Sequence, residues 1–163
     1  MIKENYTKNR HISQFICLIW LTIFSGCAET TLVELPLSSQ YGQIVGSEYR
    51  IIAAVDAYGI YENLDKKVIS YITLIPGVGI SGPEVAFKKR IDKGQRIVVL
   101  SAWQERKLLH SNVYYVIALQ DTNIPRDIQV RIDLSRGNEG VGAELNQRVY
   151  EKIKGKQISQ FAN

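Results

Sequence analysis

From residue 48 onward the chain is written mostly with a period of two. The clearest case is "IQVRIDL", which sets Ile128, Val130, Ile132 and Leu134 against Gln129, Arg131 and Asp133. Successive side chains point to opposite faces of a strand, whereas a helix needs apolar residues three and four apart. The pattern therefore predicts a strand with one dry face. "YRIIAAVDA" (49–57), "KVISYITLI" (67–75), "EVAFKKRI" (84–91), "QRIVVLSAW" (95–103) and "SNVYYVIALQ" (111–120) are further runs rich in β-branched and aromatic residues.

Turn formers in "YGIYENLDKK" separate the first two runs. Asp92-Lys93-Gly94 separates two others and predicts a hairpin, with Gly94 taking the positive φ of a bulged turn. A longer loop is expected between "QRIVVLSAW" and "VYYVIAL", an order that resembles the central strands of an SH3-like barrel. Asn146 is placed to cap a short C-terminal helix through "QRVYEKIK", where Val149 and Ile153 fall four apart. The expected fold is all-β: a small, partly open, SH3-like barrel of about six strands with that helix, since closure removes exposed edges.

Composition narrows the chemistry. The only cysteines are Cys17 and Cys27, so residues 28–163 have neither a disulfide framework nor a cysteine metal site, and His110 is their one histidine. No metal or diffusible cofactor is expected. Of the formal charge of +4, half belongs to residues 1–26, through Lys3, Lys8 and Arg10 against Glu4. The nearly balanced remainder lacks the basic excess of a nucleic-acid binder, so no nucleic-acid partner is expected.

The polar, net-positive "MIKENYTKNRH" precedes the apolar "FICLIWLTIF" of residues 15–24. This run is short of the roughly 20 residues that cross a bilayer. Small residues then follow, as in an export signal. Phe24-Ser25-Gly26-Cys27 resembles the lipobox of bacterial lipoprotein precursors, differing at Phe24, where leucine is usual. The resemblance covers the signal alone. It implies diacylglycerol on the Cys27 thiol as a covalent lipid, removal of residues 1–26, and a palmitate-type chain on the new amine. With Ala28 rather than aspartate next, it also implies the outer membrane, periplasmic side, in a Gram-negative host. The expected organisation is a signal peptide at 1–26, the acylated cysteine and a tether at 27–47 with room for an edge strand at Leu32–Leu35 ended by Pro36, and the barrel at 48–163. Fully stretched, a 20-residue tether would reach roughly 66–72 Å.

Several constellations invite chemistry. "GVGISG" (77–82) satisfies G-x-G-x-x-G after a strand, but Pro83 and a strand-like run follow, where a dinucleotide site needs a helix. His110-Ser111 near Asp121 has no nucleophile elbow, and adjacent residues on a strand face opposite ways. Glu84, Glu139 and Glu144 form no pair of defined separation. No catalytic residue is assigned. Candidate contacts for a ligand or partner are the basic run Lys88, Lys89 and Arg90, the aromatics Trp103 and Tyr115, and Arg136, Asn138 and Glu139 of a glycine-rich loop. Trp103 is otherwise a core residue, and one of Tyr114 and Tyr115 must face outward.

The function these features suggest is that of a lipid-anchored envelope protein, not an enzyme. Its small β domain would serve as an interaction or structural module, with the membrane and an envelope protein or cell-wall component as partners. An envelope hydrolase acting on peptidoglycan and a small-ligand-binding barrel are the alternatives.

Overall fold

The structure is a computed structural model that describes residues 30–120, 124–125 and 127–153. The signal peptide, the lipobox (Phe24, Ser25, Gly26), Cys27 and Asp121 lie outside the described residues.

Among the described residues eleven strands follow one another: β1 (Thr31–Glu34), β2 (Glu48–Ile51), β3 (Val55–Tyr61), β4 (Ile69–Pro76), β5 (Val85–Ile91), β6 (Arg96–Arg106), β7 (Ser111–Leu119), β8 (Val130–Asp133), β9 (Gly140–Val141), β10 (Glu144–Leu145) and β11 (Tyr150–Lys152). Nine of them form one open, mixed sheet in the order β11-β2-β6-β7-β8-β4-β3-β5, with β1 also on β6. β9 and β10 make a separate ribbon. β4 and β8 run parallel, and the other ladders are antiparallel.

The fold is all-β, as the alternation requires, but it is not a six-stranded SH3-like barrel. The reason lies at Asp92-Lys93-Gly94. Gly94 has the expected positive φ, +90°, yet the strands it joins do not pair. β6 already has both edges occupied, by β7 on one side and by β2 and β1 in succession on the other. β5 instead takes the free edge of β3. The turn is thus a corner, tied to β2 by bonds from Gly94 N–H to Ile51 O (2.8 Å) and from Ile51 N–H to Gln95 O (2.9 Å).

Three other expectations change. Residues 31–47 are not tether: the compact unit begins at Thr31. The edge strand read at Leu32–Leu35 forms one residue earlier as β1 and lies along β6, and Ile44 of a short 3-10 turn is buried in the core. The expected long loop after Trp103 is replaced by extension of β6 to Arg106 and a tight tip, with Lys107 N–H donating to His110 O at 2.9 Å. The C-terminal helix does not form among the described residues. Asn146 caps only a turn, its Oδ1 accepting from Arg148 N–H (3.0 Å), before Tyr150–Lys152 extends along β2. Tyr150 is fully buried there, and burial of so large a ring outweighs a two-residue helical stripe.

One face of the sheet carries the main core, including Ile51, Val55, Leu74, Ile97, Val99, Tyr115 and Ile132. A smaller cluster of Tyr58, Ile60 and Ile75 lies apart from it, with Ile80 of the 77–82 loop packed against it. This explains why β3 is buried on successive residues. A Cβ at Gly79 would collide with the Tyr58 hydroxyl, so glycine is what lets the loop close on that ring. The "GVGISG" segment is a cover for a sheet face, and it leads into β5, not into a helix.

Candidate functional site

The outer face of β4, β7 and β8 gathers the densest polar and aromatic chemistry. Its composition follows from the alternation. With Ile72, Leu74, Tyr115, Val130 and Ile132 in the core, the intervening Tyr71, Thr73, Tyr114, Arg131 and Asp133 must point the other way. Register then aligns them: Thr73 lies beside Arg131, and Tyr114 beside Asp133.

Arg131 is held between two rings. Its guanidinium carbon lies 3.9 Å from the Tyr71 centroid and 4.6 Å from that of Tyr114. Its Nε donates to Gln129 Oε1 at 2.8 Å. Stacking on an aromatic face attracts the cation and fixes its plane. Burial raises both tyrosine hydroxyls above their ordinary pKa, against the pull of the Arg131 charge, so both stay neutral donors near pH 7.

Around this stack is a cleft of about 150 Å3, completed by Ile60, Ile80, Glu84, Glu105 and Arg136. Two of its three carboxylates are engaged. Glu105 pairs with Lys107 at 3.0 Å, and Asp133 accepts from Ser135 N–H (2.9 Å) and Oγ (2.7 Å). Among the described residues no carboxylate lies within 4 Å of the Arg131 or Arg136 nitrogens. The cleft therefore sets a half-buried, stacked Arg131 and an exposed Arg136 among three carboxylates, and the Arg131 fork, ion-paired with none of them, is the group able to grip a planar anion. A larger, more open hollow of about 570 Å3 beside Leu100, Ile117 and Ile128 offers, among the described residues, one ionisable group, Asp127, and correspondingly less chemistry.

Of the residues singled out in the sequence, Arg136 reaches this cleft. Trp103 is not core: it is half-buried, in register with Tyr114, and its Nε1 donates to Ser101 Oγ at 2.9 Å. Tyr115 is fully buried with its hydroxyl donating to Ala143 O at 2.6 Å, so it offers no surface contact. Lys88 and Arg90 converge on the buried carboxylate of Asp56, Lys88 at 3.1 Å with its ammonium 5.5 Å from the Tyr58 ring. Hydrogen bonding to Tyr58, then to Asp56, raises the Lys88 pKa. Lys89, between them, points to the opposite side of β5.

Asn138 braces its loop, its carbonyl accepting from Asn146 Nδ2 at 2.8 Å. Glu139 is 1% exposed and turned inward, not part of a recognition surface. Neither of its carboxylate oxygens has a hydrogen bond of good geometry. Burial raises its pKa, opposed by the nearby backbone amides of Glu139 and Asn138 and by Arg136. Glu84 lines the cleft, and neither Glu139 nor Glu144 does. His110 is exposed at the β6–β7 tip, while Ser111 Oγ accepts from Gln104 Nε2 at 2.9 Å.

Sequence reasoning missed Tyr71, Arg131 and Glu105 as site residues, and raised Tyr114 only as the possible outward member of its pair with Tyr115. The alternation of "IQVRIDL" already placed Arg131 outward, but the flanking tyrosines lie 17 and 60 positions away in sequence, on the two neighbouring strands. Compared with known family models, curated proteins and solved structures, the chain matches none.

Proposed function

We propose that this chain is a lipid-anchored bacterial envelope lipoprotein, acylated at Cys27, whose β domain is a non-catalytic interaction module. In a Gram-negative host it would sit at the outer membrane, facing the periplasm. The observation that carries the module reading is Arg131 clamped between Tyr71 and Tyr114 with Arg136 alongside. A guanidinium whose plane is already fixed loses little entropy on gripping a carboxylate. The cleft, about 150 Å3, is smaller than the roughly 300–1,000 Å3 of small-molecule sites. It suits one acidic group of a larger partner, an envelope protein or a cell-wall component, better than an enclosed ligand.

The test is photocrosslinking in the native envelope from a probe at position 84, comparing wild type with Arg131→Lys and Arg131→Met. Both variants should lose the partner adduct, because lysine keeps the charge but not the fork. Adducts unchanged in both variants would refute the cleft as the contact. Separately, Cys27→Ser should block acylation and release the protein from the membrane fraction. If that variant is processed and fractionates as wild type does, the anchor reading fails.

A further inference from the structure

The β6–β7 hairpin breaks the chemistry of its own turn. Two-residue hairpin tips favour Gly, Asn and Asp, yet this one carries Leu108 and Leu109, which are 80% and 91% exposed. Neither has a positive φ, since Lys67 is the one such non-glycine residue described. The leucines therefore serve no conformational need of the turn, and no packing need either. A local choice that contradicts the fold points to function.

Three further observations indicate what covers them. β1 runs antiparallel to β6 with Thr31 opposite Arg106, so the chain joins the sheet beside this tip. Three residues lie between Cys27 and Thr31, so four Cα-to-Cα steps span at most roughly 13–14 Å. The leucines are flanked by Arg106 and Lys107. Lys107 pairs with Glu105 at 3.0 Å, and Arg106, whose Nε is bonded to Gln104, has no carboxylate within 4 Å among the described residues.

We infer that the Lys107–His110 tip docks the domain on the bilayer, Leu108 and Leu109 entering the interface while Arg106 meets headgroup phosphates. Apolar burial joined to electrostatic attraction is what holds interfacial segments, and a second contact near a lipid anchor acts at high effective concentration. The domain would then lie against the membrane in one orientation, with its β3–β4 tip at the far end of the sheet. This inference rests on acylation at Cys27, which sets the short distance.

The test uses the exported mature protein carrying Leu109→Cys labelled with an environment-sensitive fluorophore, and Asn63→Cys at the β3–β4 tip as control. Each is reconstituted in phosphatidylethanolamine–phosphatidylglycerol vesicles with and without doxyl lipids, and the mass of the N-terminal peptide reports acylation. The expected result is an acylated N-terminus with blue-shifted, doxyl-quenched emission from position 109 and water-like emission from 63. Replacing Leu108 by serine as well should lower the quenched fraction. An acylated protein whose position-109 probe stays water-exposed overturns the docking inference and leaves the anchor standing. Vesicle quenching at 109 without acylation supports the tip and removes the anchor. Neither acylation nor quenching removes both.

Discussion

Glu139 offers a quantitative test of the core. The perturbation is Glu139→Gln, which keeps the shape of the side chain and removes its ionisation. In the folded protein the carboxyl is 1% exposed and lacks a hydrogen bond of good geometry, and the hydroxyl of buried Tyr150 also lacks one. Desolvation raises its pKa, more than the Asn138 and Glu139 amides and Arg136 lower it. In the unfolded chain the same group titrates near the ordinary value of about 4.3. The sign follows: below that pH the carboxyl is protonated in both states and its ionisation adds no cost. As pH rises, the unfolded chain releases the proton first, so stability falls until the folded carboxyl also ionises, and is level above that. A buried polar group left unsatisfied costs about 1–3 kcal/mol, more if charged. Glu139→Gln should therefore stabilise by about 1–3 kcal/mol at pH 7 and by little at pH 4, where neutral carboxyl and amide bury similar polarity. Urea unfolding at both pH values, with m unchanged, reads this directly. If wild type and variant show the same pH dependence, or the variant is less stable at pH 7, Glu139 has a partner that the packing does not reveal and the reasoning fails.

Other expectations follow from single contacts. Asp56→Ala removes the buried acceptor on which Lys88 and Arg90 converge and leaves a void under β5, so it should destabilise by about 1–3 kcal/mol in urea unfolding. Gly79→Val cannot coexist with Tyr58 in place and should cost about 1–3 kcal/mol, as well as raising hydrogen exchange across the 77–82 loop. Burial, then the Glu144 charge, pushes the Tyr49 hydroxyl up to about 12. The unfolded chain therefore ionises it first, and stability is lost as pH rises above about 10. Ultraviolet titration should show Tyr49→Phe removing a tyrosine that ionises only at the alkaline extreme.

How much of this was legible beforehand differs by residue. The period-two writing of "IQVRIDL" sorted Val130 and Ile132 from Arg131 and Asp133, and the structure keeps that sorting, because side-chain alternation is a property of any extended chain. The turn at Gly94 was equally local: a positive φ calls for glycine wherever the chain goes next. Pairing is another matter. Asp92-Lys93-Gly94 reads as a hairpin until β6 is found to have no free edge, a fact that depends on β1, β2 and β7. Tyr114 and Tyr115 were known to face opposite ways, but which faced the core waited on the register of β7 with β6 and β8.

The candidate site lies on that side of the division. Arg131 pointed outward by its own strand's pattern. Its clamp needed β4 laid parallel beside β8 and β7 antiparallel on the other edge, contacts that short-range periodicity does not encode. The same holds for Glu139, a polar loop residue by sequence and a buried one in the fold, and for "QRVYEKIK", where the open edge of β2 drew Tyr150 into a strand. Sequence alone determined strand character, face alternation and the special glycine turn, since these are set by bonded geometry and neighbours within a few residues. Tertiary structure decided which edges met, which residues they buried and where Arg131 and Arg136 came to line one cleft, because each depends on surfaces brought together from far along the chain.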